Sequence, residues 1–325
     1  MKKMTLGLFI GRDLMSYLIA TDLIPFFSSA GHKVEIFLSS EHENFVPENA
    51  EFRNYLFFTS ELMQRQTLRL SDEIPESYHF WAPTPRQIKD KFGFDTHQVS
   101  NINAQNFVKK MADLGINCAL NIGFEQKFKK PLFNYFDLKK PDGGFCLNLH
   151  FGLLPHYRGV HPLFRAMLGG EKYGGFTLHH LEDNTHTGAI VAFDKFEIDY
   201  TESIFTNLMN NYGLAVAMIL NNILDEKVEG KGLRGSPQSV SEGNYFTYPT
   251  SIEVNAFLAK GLKFYEEDSL LSLMAHIFLP SEKHAHFYNE VAVEVKRAQL
   301  IEAEPIQLAN VIPLMAYRQK KKAVQ

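Results

Sequence analysis

Thr5-Leu6-Gly7-Leu8-Phe9-Ile10 is an unbroken apolar run that stops at the polar turn Gly11-Arg12-Asp13. A run of this kind predicts a strand buried on both faces. From Leu14 to Ala30 apolar positions recur at helical spacing up to Gly31, and Lys33 to Leu38 returns to a short strand pattern. Strand, helix and strand in this order, with a crossover long enough for a parallel pair, open a doubly wound α/β sheet.

The alternation continues downstream. A helix from about Ala104 to Leu114, closed by Gly115, feeds a strand over Ile116 to Ile122, and Phe145 to His150 is the next strand, entered through the Pro141-Asp142-Gly143-Gly144 turn. Pro162 to Leu168 reads as a short helix stopped by Gly169-Gly170. Phe176 to Leu181 and Ala189 to Ile198 read as partner strands across the loop Glu182 to Gly188, and Ser203 to Leu224 as a long helix with one apolar face. Ser39 to Thr96 is less regular, with Trp81-Ala82-Pro83-Thr84-Pro85 a loop. Gly, Ser and charged residues from Glu229 to Ser241 mark a linker, dividing the chain into residues 1–228 and a smaller α+β unit, 229–325. In that unit we expect two helices, near Ser251 to Gly261 and Asp268 to Phe278, and a strand from Val291 to Ala303.

At 325 residues the chain exceeds the usual single-domain size. Its 45% hydrophobic and 22% charged content excludes a disordered, fibrous or disulfide-stapled chain. A net charge of −4 gives no general basic field, so nucleic acid is not an expected partner, and the basic run Arg318 to Lys322 reads as a solvated tail. Cys118 and Cys146 each sit in an apolar run and read as small buried hydrophobes. Charges interrupt every apolar stretch before the roughly 18 residues a membrane span needs, so a cytoplasmic protein without a membrane partner is expected.

The chemistry is expected in Asn148-Leu149-His150-Phe151-Gly152-Leu153-Leu154-Pro155-His156-Tyr157-Arg158-Gly159. On a strand, Asn148 and His150 share a face, so an amide and an imidazole converge at a strand's carboxyl end. That pair suits acyl transfer: the amide donates to a developing oxyanion and the imidazole handles a proton. An Asn and a His ending a strand are also common as ordinary hydrogen-bonded residues, and spacing alone does not decide. Other tempting patterns are weaker. Gly11 stands alone where a dinucleotide-binding loop has three glycines, and His179-His180, His284-x-His286 and His150-x5-His156 lack a completing ligand, so no metal is expected. Phe246, Tyr248, Phe257 and Phe264 read as packing residues, with a stacking surface for an acceptor as the alternative.

Asn-x-His followed by Leu-Leu-Pro, Arg-Gly, a Pro-led short helix ending in Gly, Thr177-x-His179 and Thr187-Gly188 resembles the formyltransferases that use 10-formyltetrahydrofolate, over about Gly123 to Phe196. Gly243-Asn244-Tyr245-Phe246-Thr247-Tyr248-Pro249-Thr250 also resembles a segment beyond the catalytic domain of some members. The resemblance implies a Rossmann-like catalytic domain with a largely parallel sheet, with Asn148 polarising a formyl carbonyl and His150 supporting the tetrahedral intermediate. The family's catalytic aspartate falls on His186, with Asp183 three residues earlier as a candidate replacement; Gly152 and Ala189 also depart from the usual residues. For the folate it implies Gly123, Phe124, Gln126, Phe128, Leu181, Asn184, Thr187 and Gly188, acting largely through backbone groups. The implied partners are the folate and a small primary amine, an amino sugar nucleotide or a hydroxylated amine; a homodimer is compatible. Two alternatives stand beside it: a binding or regulatory protein that has lost turnover at His186, and a methionyl-tRNA formyltransferase, which would add tRNA as a partner.

Overall fold

The computed structural model describes residues 3–39, 47–63, 68–73, 82–139, 144–182, 186–224 and 233–303. Its strands are β1 (Thr5–Ile10), β2 (Lys33–Ser39), β3 (Asp95–Val99), β4 (Cys118–Ile122), β5 (Cys146–His150), β6 (Arg158–Gly159), β7 (Tyr173–His180), β8 (Ile190–Glu197) and β9 (Tyr245–Phe246). Its helices are α1 (Leu14–Ser29), α2 (Ala50–Leu56), α3 (Leu68–Asp72), α4 (Pro85–Phe92), α5 (Gln105–Asp113), α6 (Lys130–Asp137), α7 (Pro162–Gly169), α8 (Ile204–Ile223), α9 (Ser251–Ala259), α10 (Glu267–Phe278) and α11 (Ser281–Ala303).

One sheet runs in the order β3-β2-β1-β4-β5-β7-β8. Pairing is parallel from β3 through β5, and β7 and β8 join antiparallel. The chain winds outward from β1 to β3 and then returns to place β4 on the other side of β1. That reversal leaves a crevice at the carboxyl ends of β1 and β4, where open α/β sheets bind ligands. The two loops touch there: the Gly11 N–H donates to the Ile122 carbonyl at 2.7 Å. A Cβ on Gly11 would lie 2.5 Å from the Gly123 carbonyl, and Gly123 itself has φ +70°. Glycine is required for so close an approach.

Period-two alternation sorts β1 between two cores. Leu6, Leu8 and Ile10 join apolar residues of α1, α8 and α10, whereas Phe9 joins Phe37, Phe107, Phe124 and Phe128 with the apolar faces of α5 and α6. Each such fully buried side chain contributes roughly 1.5–3 kcal/mol.

The expected strand from Val291 to Ala303 does not form. The segment belongs to α11, and Phe287, Val291 and Val295 recur every four residues against the core, which is helical spacing. Among the described residues the strand of the C-terminal region is β9, surrounded by helices. Within the expected linker, Ser236 bridges to Ile190. Trp81, Pro141 to Gly143 and the basic run Arg318 to Lys322 lie outside the described residues. No described helix is long and apolar enough to cross a membrane.

Candidate active site

Strands β4 and β5 lie side by side with Asn121 opposite Asn148 and Ile122 opposite Leu149. Asn148 and His150 are buried, 6% and 4% exposed, and both line a cleft of about 780 Å³. His186, carried by the loop between β7 and β8, lines the same cleft. Its ring centroid is 4.3 Å from that of His150 and 5.6 Å from that of His179. The three residues expected to carry the chemistry therefore share one cavity.

Backbone groups fix the tautomer of each imidazole. His150 Nε2 lies 2.9 Å from the Tyr157 carbonyl, which can only accept, so Nε2 carries the proton and Nδ1 keeps a lone pair. At His186 the polarity is reversed: the Gly159 N–H donates to Nδ1 at 3.1 Å, which leaves Nε2 as the N–H end. His179 donates from Nδ1 to the His180 carbonyl at 2.7 Å and accepts at Nε2 from Asn148 Nδ2 at 3.0 Å. The Asn148 amide is thereby oriented with its second N–H uncommitted to His179.

All three rings are held neutral. Burial lowers His150 to about 4, against a smaller opposing effect of its bond to Tyr157. Burial, then the charge of His150, lowers His179 to about 3. His186 is lowered furthest, by burial first and then by His150, His179 and Arg158. The physical cause is common to the three: removing an imidazolium from water is costly, and each ring discourages a proton on its neighbour.

Backbone strain concentrates here as well. Among the described residues, non-glycine positive φ occurs at Tyr157, His161 and His186, at +53°, +50° and +56°. Tyr157 supplies the carbonyl for His150, and the other two line the cleft. Such clustering is characteristic of functional sites. Gly159 has φ +101°, and a Cβ there would fall 1.8 Å from the Phe246 carbonyl. The pairing of β6 with β9 thus presses the Tyr245–Phe246 segment against the residue whose N–H holds His186.

Of the residues expected to hold a cofactor, Gly123, Phe124, Gln126, Phe128 and Leu181 line the cleft. The Phe124 and Phe128 rings pack on Phe9 in the core. Gln126 is consumed in bridging Ser39, Val99 and Ile102. Backbone groups are what this loop can offer a ligand. Thr187 and Gly188 fall outside the lining, with Gly188 packed on the His180 carbonyl, and Asn184 and Asp183 lie outside the described residues. Phe257 and Phe264 are core residues, whereas Tyr248 lines the cleft. Among the described residues no group of three or more His, Cys, Asp or Glu is disposed to hold a metal ion.

Two contributors escaped the sequence. His179 stands in Thr177-x-His179, yet its bond to Asn148 depends on antiparallel pairing with β5, which no local pattern specifies. Arg165, 5% exposed at the side chain, pairs with Glu253 and donates to the Thr247 carbonyl at 3.1 Å, tying α7 to the segment after β9. Arg165 lies within the expected Pro-led helix, and neither it nor its distant partner was singled out by any local pattern.

Residues 100–212 match the family model described as Formyl transferase. Over 129 residues the chain is 33% identical to the methionyl-tRNA formyltransferase of Halothermothrix orenii, covering 39% of each protein. Against that of Kosmotoga olearia it is 24% identical over 164 residues, 50% of each. The chain thus matches half or less of the length of these relatives. Among solved structures, the N-formyltransferase from Helicobacter canadensis in complex with folinic acid and dTDP-3-aminofucose has a TM-score of 0.49 and 15% identity, over 82% of each chain. A doubly wound sheet with an amide and imidazoles in the cleft beside its switch point defines a class suited to group transfer. Asn148, His150 and His186 all lie within the segment that matches the formyl transferase family model.

Proposed function

We propose that this chain transfers a formyl group from 10-formyltetrahydrofolate to a primary amine in the cleft shared by Asn148, His150 and His186, with nucleotide-linked amino sugars as the first acceptor class. The observation that carries the proposal is the complementary set of groups in one cavity: an oriented amide N–H, an imidazole lone pair and an imidazole N–H.

The acceptor nitrogen attacks the formyl carbon and the carbonyl electrons move onto oxygen. Asn148 Nδ2–H and His186 Nε2–H donate to that oxyanion, and His150 Nδ1 takes the proton of the attacking amine. When the carbonyl re-forms, the bond to the folate N10 breaks and His150 returns the proton to N10, leaving a formamide and tetrahydrofolate. The folate would rest on backbone groups of Gly123, Phe124, Gln126 and Phe128 and of the loop holding Leu181, Asn184, Thr187 and Gly188. His186 is assigned as a donor, since its Nδ1 is already occupied by Gly159.

The test is tetrahydrofolate release from 10-formyltetrahydrofolate with a panel of amines: a dTDP-linked amino sugar, a hydroxylated amine and initiator methionyl-tRNA. Asn148→Ala is expected to lower the rate about 10²–10³-fold; an unchanged rate contradicts the assignment. A second reading, loss of turnover, is favoured by the neutral His186, which brings no fixed negative charge to His150. It gains if the native protein releases no tetrahydrofolate and His186→Asp does. Transfer to tRNA would instead show affinity falling steeply with salt.

A further inference from the structure

His161 is the residue whose properties the transfer chemistry leaves unused. It precedes Pro162, a position that sterically favours extended backbone, yet it adopts φ +50° and ψ +54° in the left-handed region. It is also the N-cap of α7, but its side chain makes no capping bond. Neither proline sterics nor helix capping accounts for a histidine here.

What the backbone gains is the placement of the ring. Phe52 meets it edge-on with centroids 4.9 Å apart, and Tyr55 and Tyr248 flank it at 6.3 and 5.8 Å. It lines the cleft, and its ring nitrogens make no hydrogen bond among the described residues. The start of α7 also adjoins the catalytic imidazole: a Cβ on Gly152 would lie 2.5 Å from Pro162 Cβ and 3.1 Å from His150 Nε2. An imidazole packed on Phe52, with a donor and an acceptor end, suits a hydroxyl, which both accepts and donates. The Tyr55 and Tyr248 rings, which line the cleft with it, suit the apolar face of a ring that bears the hydroxyl.

We infer that His161 is an acceptor-recognition residue: it binds a hydroxyl of a polyhydroxylated ring amine and holds that ring against Tyr55 and Tyr248, which line the cleft with it. This deepens the acceptor assignment made above and rests on it. Burial keeps the ring neutral, down at about 4, which agrees with a neutral partner in place of an anionic one.

His161→Phe keeps a flat ring and removes both nitrogens. Calorimetric titration with a dTDP-linked amino sugar, and separately with 5-formyltetrahydrofolate, reads the two subsites independently of turnover. The expected result is acceptor Kd raised about 10-fold, the scale of one lost hydrogen bond, with folate Kd and Tm unchanged. His161→Asn, which tolerates the left-handed backbone and keeps a donor and an acceptor, should recover part of the affinity. Wild-type affinity in His161→Phe, no affinity of the native protein for the amino sugar, or equal weakening of both ligands with a lower Tm overturns the inference. Failure of the formyl-transfer proposal would appear separately, as intact acceptor binding without tetrahydrofolate release.

Discussion

At the scale of single residues, function turns on where each imidazole keeps its proton. His150 offers a lone pair and His186 an N–H because two backbone groups, the Tyr157 carbonyl and the Gly159 N–H, have opposite polarity. Replacing His186 by aspartate puts a negative charge beside His150, which favours the imidazolium and raises its pKa from the present value of about 4. The acid limb of the kcat/KM profile should then move to higher pH in His186→Asp, as pH–rate measurements would show; a limb that stays put contradicts the contact. His179→Leu removes the acceptor that orients Asn148, and kcat is expected to fall about 10-fold with folate Kd unchanged. Equal losses in kcat and folate affinity would point to a packing role. The strand's period put Asn148 and His150 on one face, but spacing alone did not decide their role; that role, and the position of His186, came from the family resemblance. The tautomers were not legible, since they depend on carbonyls and N–H groups that any residue could supply.

At the scale of elements, the two-residue ladder of β6 and β9 is the joint between the catalytic loop and the C-terminal segment. Gly159→Ala would introduce a Cβ onto the Phe246 carbonyl at a φ that disfavours side chains. We expect a loss of about 3 kcal/mol in chemical denaturation, with tetrahydrofolate release reduced in the protein that still folds. An unchanged denaturation midpoint would contradict the contact. Most strands and the long helices of the sheet were readable from apolar runs and helical spacing, whereas β3 was missed because Asp95-Thr96-His97-Gln98-Val99 forms no apolar run. The C-terminal helix was misread because Val291, Val293 and Val295 alternate like a strand, while the deciding contacts, Phe287 and Val291 on a core built by α1 and α10, come from far along the chain. The ladder itself was illegible for the same reason: two residues carry no periodicity.

Across the whole molecule, buried neutral histidines couple folding to pH. His150 and His161 sit at about 4 and His179 at about 3, against about 6.5 in an unfolded chain. As pH falls from 6.5 towards 4 the unfolded chain takes up protons that the folded one refuses, so stability is lost in that window and retained above it. Glu125, pushed up to about 7 by burial, acts in the opposite sense. A difference between variants cancels that effect. His161→Phe removes one such proton, so its stability should fall less steeply than that of the native chain, by about 1.4 kcal/mol per pH unit. Denaturant midpoints at pH 7.0, 6.0 and 5.0 check it, and parallel slopes would contradict it. The most direct measurement of all is the crystal structure with 5-formyltetrahydrofolate bound. We expect the pterin against the Gly123 to Phe128 backbone and the formyl oxygen within about 3 Å of Asn148 Nδ2 and His186 Nε2; a folate bound outside this cleft, or a formyl oxygen turned away from both donors, would contradict the assignment.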